Sequence, residues 1–73
     1  MPVLIVMDHR GDSRHYFDAK DAEAVADAEA RFKELRSEGY VAAVRTGPGQ
    51  VAKVGAFDPA AEETLFFPRL VGG

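Results

Sequence analysis

DAKDAEAVADAEARFKELRSEG, residues 18–39, is the stretch on which the fold turns. Within it Ala22, Val25, Ala28, Phe32 and Leu35 recur every three or four positions, which gathers them into one apolar stripe on a helix. Asp18 is the expected N-terminal cap, with Asp21 in an approximate capping-box position and Gly39 as the stop signal. The predicted helix therefore covers residues 19–38. Acids gather early (Asp21, Glu23, Asp27, Glu29) and bases late (Arg31, Lys33, Arg36), which complements the helix dipole. The spacing predicts Asp27–Arg31 and Glu29–Lys33 pairs on a solvated face.

One amphipathic stripe requires one apolar partner face, and the flanking sequence supplies strands for it. Upstream, Val3-Leu4-Ile5-Val6-Met7 is apolar on both alternating faces, the pattern of a strand that is central or covered on each side, and it is expected in the middle of the sheet. Turn chemistry over residues 8–13 leads into a short returning strand, Arg14-His15-Tyr16-Phe17. Downstream, residues 40–45 and 50–57 read as a second hairpin about the turn Thr46-Gly47-Pro48-Gly49. Asp58-Pro59-Ala60-Ala61-Glu62-Glu63 is compatible with one short helical turn, because proline fits the first helical position. Thr64-Leu65-Phe66-Phe67 then begins a last apolar strand, which Pro68 is expected to interrupt or push toward an edge or bulge.

The order strand, strand, helix, strand, strand, strand predicts an α+β fold with one helix on one face of a mixed sheet. If the last strand pairs beside the first, the sheet is β-grasp-like; otherwise it is a plain antiparallel sheet. Residues 1–73 form a single domain in this reading. A chain of 73 residues buries about 60% of the surface its unfolded form exposes, so one core is the limit.

Composition narrows the classes of function. Hydrophobic residues make up 47% of the chain and charged residues 29%, a globular balance. Without cysteine there is no disulfide framework or thiol nucleophile, and a cytoplasmic location suits the chain. The longest apolar run is residues 3–7, far short of the roughly 20 residues of a membrane span. No secretory signal pattern precedes it. A net charge of −3 gives no general basic field for phosphate backbones, so neither nucleic acid nor membrane is an expected partner.

Catalytic constellations are not apparent, and the expectation is a protein that is not an enzyme. His9 and His15 flank the first turn, with Asp8, Asp12 and Asp18 nearby, and read as solvated turn residues rather than metal ligands. Arg10-Gly11-Asp12 is what a hairpin turn selects. Gly47-Pro48-Gly49 lacks the Lys-Ser/Thr and the helix of a phosphate loop. Neither a bound metal nor a bound cofactor is expected.

The segment Phe66-Phe67-Pro68-Arg69-Leu70-Val71 is different, since apolar residues run up to Gly72-Gly73 where polar ones are the norm. Phe66 or Phe67 completes the core in part. The functional reading assigns Phe66, Phe67, Pro68, Arg69, Leu70 and Val71 to partner binding, with Gly72 and Gly73 as a flexible tail entering a narrow channel. Glycine suits this, having no Cβ to block close backbone approach.

Glu63-Thr64-Leu65-Phe66-Phe67-Pro68-Arg69-Leu70-Val71-Gly72-Gly73 resembles the C-terminal sequence of ubiquitin-like sulfur carriers, the molybdopterin synthase small subunit and thiamine sulfur-carrier type. The resemblance implies a β-grasp fold and an activating enzyme that adenylates the carboxylate of Gly73 with ATP and magnesium. The activated glycine would then become a thiocarboxylate or be joined to a lysine by a conjugating enzyme, with a deconjugating enzyme as a further partner. Arg69 stands where the sulfur carriers commonly have a second proline, and an Arg shortly before Gly-Gly is closer to ubiquitin-type modifiers. Both branches stay open. The alternative is a small protein-binding module, such as an accessory protein of a phage or mobile element, using the apolar C-terminal segment without covalent chemistry. A homo-oligomer in which the last strand augments the sheet of the next protomer is compatible with either.

Overall fold

A computed structural model describes residues 1–69, arranged as β1 (Val3–Asp8), β2 (Gly11–Tyr16), α1 (Ala22–Ser37), β3 (Tyr40–Gly47), β4 (Gln50–Lys53) and β5 (Glu63–Pro68). The expectations for Leu70, Val71, Gly72 and Gly73 lie outside the described residues.

β1 and β2 form a hairpin with a two-residue turn, His9-Arg10, because Asp8 pairs directly with Gly11. Asp8 Oδ1 accepts the Arg10 N–H at 2.8 Å, and Gly11 adopts φ +117°, a conformation that glycine reaches at little cost. The turn is thus shorter than the sequence suggested, and β2 begins at Gly11 rather than Arg14. β3 and β4 form the second hairpin, with a register shift between Arg45 and Gly47. β4 is shorter than its predicted 50–57. Val54 still donates to the Ala42 carbonyl at 3.0 Å, and the chain then bends at Gly55-Ala56.

The helix is also shorter than its predicted span, and the cap moves with it. Asp21, not Asp18, caps α1: its carboxylate accepts from the Glu23 and Ala24 amides. Asp18 instead closes a local turn, its Oδ1 accepting the Lys20 N–H at 2.9 Å. Starting later exposes Ala22, and Ala24 packs against the core in its place beside Val25. Glu29 pairs with Lys33 as the spacing predicts, whereas Arg31 turns to Glu34 rather than Asp27. Asp58-Pro59-Ala60-Ala61 is a turn and not a helix. The Asp58 carboxylate accepts from Ala60 N–H and its carbonyl from Ala61 N–H.

The five strands lie in the order β2-β1-β5-β3-β4. β5 runs parallel to β1, with Ile5 opposite Leu65, and antiparallel to β3, with Ala43 opposite Leu65. The last strand therefore fills the gap between the two hairpins. The sheet is mixed, and the fold is α+β and β-grasp-like. This corrects two expectations, that Pro68 would move its strand toward an edge and that residues 3–7 would lie in the middle of the sheet: β5 is the middle strand and β1 stands between it and the edge strand β2. Pro68 is its last residue and sits opposite Tyr40. The Ala42 carbonyl points to the β4 side, so that of Tyr40, two residues away, also points away from β5. No ladder hydrogen bond from Pro68 to β3 is lost.

On the helix side Ala28, Phe32 and Leu35 close over Leu4, Ala42 and Phe66. Phe66 is wholly buried, and its ring meets Phe32 edge-on at 5.5 Å. Phe57 reaches back from the loop after β4, 5.9 Å from both Phe17 and Phe32. Aromatic contacts of this kind add about 0.5–1.5 kcal/mol beyond the area they bury. The opposite sheet face carries a second cluster of Val3, Ile5 and Leu65. Among the described residues no helix is long and apolar enough to cross a membrane.

Candidate functional site at the exit of the central strand

Every candidate partner-binding residue within the described chain belongs to β5 or follows it directly. Successive residues of a strand point to opposite faces, and here the alternation divides the candidates. Phe66 points to the helix and is fully buried, so its role is to anchor the strand, and it offers no surface to a partner. Phe67, opposite Val41 on the other face, is half-buried. Pro68 and Arg69 are exposed. The accessible part of the predicted segment thus begins at Phe67.

Because β5 is parallel to β1, it leaves the sheet at the end where β1 also finishes. Pro68 and Arg69 consequently sit in a depression with Asp8, His9, Glu38, Gly39 and Tyr40, the β1–β2 turn meeting the end of the helix. The helix stops there because Gly39 takes φ +97° and its N–H donates to the Arg36 carbonyl at 3.1 Å. This bend returns the chain as β3 alongside β5.

On the other flank of Arg69 lies a groove of about 570 Å³. Val41, Val54 and Phe67 contribute its apolar lining, and Arg36, Lys53 and Arg69 its charged groups. The groove exists because β4 stops at Lys53 and the chain turns away at Gly55, leaving the start of β3 without a neighbour on that side among the described residues. Ala42 still receives Val54, and the Tyr40 carbonyl accepts from the Arg36 guanidinium at 3.3 Å. Sequence reading singled out neither Arg36 nor Lys53 in this role. Arg36 is explained locally by the helix dipole, and nothing in the spacing brings Lys53 toward Arg69.

The remaining motifs stay apart from this exit. Gly47 ends β3 opposite Gln50, so the β3–β4 turn is Pro48-Gly49 alone, shorter than the expected Thr46-Gly47-Pro48-Gly49. His9 is exposed in the first hairpin turn, and His15 is exposed on β2 opposite Leu4. Among the described residues no three His, Cys, Asp or Glu side chains come together to hold a metal ion. Arg45 and Glu63 form an ion pair beside the start of β5, the opposite end of the strand from its exit.

β5 has a neighbouring strand on each side. Residues 64–66 pair on one side with β1 and on the other with β3. The expected route to a homo-oligomer, in which this strand augments a neighbour's sheet, is therefore occupied within the chain itself. Among the described residues the edge strands of the sheet are β2 and β4. Compared with protein-family models, curated proteins and solved structures, the chain matches none of them.

Proposed function

We propose that the chain is a ubiquitin-like modifier or sulfur carrier whose Gly73 is activated by a partner enzyme. The observation that supports this most directly is the central placement of β5 in a β-grasp-like sheet. A strand held between β1 and β3 and anchored by Phe66 presents Phe67, Pro68 and Arg69 at one end of the sheet. In this reading Leu70 and Val71 extend that contact, and Gly72-Gly73 enter the partner's active site. The Gly73 carboxylate attacks the α-phosphorus of magnesium-bound ATP, giving an acyl adenylate and releasing pyrophosphate. A sulfur nucleophile or a lysine amine then attacks the glycyl carbonyl and AMP departs. A glycine carboxylate without Cβ is the least hindered for both steps. The chain is the substrate, and its partner supplies catalysis.

The test is incubation of purified protein with an activating enzyme, ATP and magnesium, followed by intact-mass analysis and pyrophosphate release. Adenylate or thioester formation is expected with the natural sequence and loss of it with Gly73→Ala. Equal reaction of the Gly73→Ala protein overturns the proposal. The open groove beside Phe67 favours a second reading, a non-covalent protein-binding module. Under that reading, removal of Gly72 and Gly73 leaves partner binding intact, while removal of Leu70 and Val71 weakens it.

A further inference from the structure

We propose that the groove beside the β5 exit is a docking site for an acidic, partly apolar segment of a partner protein. The chain as a whole has 12 acidic against nine basic residues, yet among the described residues the groove is lined by Arg36, Lys53 and Arg69 and by no carboxylate. Among the described residues none of these three cations has a carboxylate within ion-pair distance, whereas Arg31, Lys33 and Arg45 each have one. Arg36 is held in place by its bond to the Tyr40 carbonyl. Arg36 and Arg69 together also line a smaller hollow with Gly39, Tyr40 and Val41. Asp8 and Glu38 line the depression on the far flank of Arg69.

Positive charge concentrated at one place in a net-negative chain attracts the opposite sign and sets specificity more than affinity. The apolar side chains of Val41, Val54 and Phe67 identify the kind of anion. A free small anion gains nothing from them, whereas a segment carrying both carboxylates and aliphatic side chains satisfies the rim and the lining together. The inference rests on the reading of the β5 exit as the partner-facing end of the molecule. It requires neither ATP nor Gly73, so the two can fail separately.

The experiment titrates the isotope-labelled full chain, at low ionic strength, with a short capped peptide of alternating Glu and Leu, followed by amide chemical shifts. Shifts are expected at Val41, Ala42, Lys53, Val54, Gly55, Phe67 and Arg69, and binding should weaken as salt is added. The double variant Lys53→Glu, Arg69→Glu replaces two exposed side chains. It should keep its amide spectrum elsewhere and bind the peptide about tenfold or more weakly. Gly73→Ala should bind as the natural sequence does. The proposal is overturned if a Lys-Leu peptide binds the same residues equally well, or if the double variant binds unchanged. It is also overturned if the shifts fall elsewhere, if inorganic phosphate alone reproduces them, or if a single-stranded oligonucleotide binds the groove more tightly than the acidic peptide.

Discussion

On β5, the neighbours Leu65 and Phe66 belong to two different interiors. Phe66 enters a thick cluster sealed by a helix, with Phe32 against its ring and Leu4 and Ala42 beside it on the sheet. Leu65 enters a thin one, Val3 and Ile5 with Met7 at its margin, over which no second layer lies among the described residues. Both are buried, the first completely and the second to 9% exposure. The difference is in what excludes the water. On the helix side it is packing between layers. On the other face the strand pairing places Tyr16 opposite Val3 and Arg14 opposite Ile5, with the Arg45–Glu63 ion pair close by. Long amphipathic side chains cover apolar neighbours with their stems while their polar ends stay in water. A sheet face can thus be closed by its own cross-strand residues, at the cost of a shallower interior.

The sharpest way to break this comparison is to truncate each neighbour. Phe66→Ala should cost about 3–5 kcal/mol, which for a domain this small removes much of the stability. Urea denaturation would report it as a lower midpoint at unchanged slope. Leu65→Ala should cost about 2 kcal/mol, because water and the surrounding long side chains can enter the vacated space. Equal losses would mean that the two faces are equivalent cores and that the distinction drawn here is empty.

Smaller effects sharpen the picture at the margins of the two clusters. Asp21→Ala should cost about 1 kcal/mol by releasing two amides at the start of the covering helix, read as a lower thermal midpoint. Asp18→Ala should cost less, since its carboxylate serves only a local turn; the reverse order would return the cap to Asp18. Arg45→Ala should change stability by less than about 1 kcal/mol. Because both partners are partly exposed, that loss should shrink further as salt is added.

Local pattern made part of this molecule legible. The helix stripe through Val25, Ala28, Phe32 and Leu35 needs only the helical period, and the two hairpins need only turn chemistry at Gly11 and Gly49. The limits of the elements were less legible where two residues offered the same chemistry. Asp18 and Asp21 are both competent caps, and the choice between them depends on how the chain from Phe17 enters the core. Similarly, residues 54–57 look like strand, but Phe57 is drawn away to pack between Phe17 and Phe32. Of the candidate site, Phe67, Pro68 and Arg69 were visible because they end or directly follow an apolar strand. Arg36 and Lys53 were not, since each has an adequate explanation within its own element.

Element order, the single helix with its buried stripe, and a final apolar strand in need of neighbours are all written in the local sequence. These follow from periodicity, turn residues and hydrophobicity, all of which act over a few positions. Where that last strand goes is settled by long-range pairing. Its insertion between β1 and β3 joins residues some 60 positions apart, as in the pairing of Val3 with Glu63, and no local preference encodes such a choice. The same insertion turns Phe66 inward and sets Arg69 beside Lys53 and Arg36. The charged groove is therefore a product of strand order, because cations distant in sequence meet only when the sheet is complete.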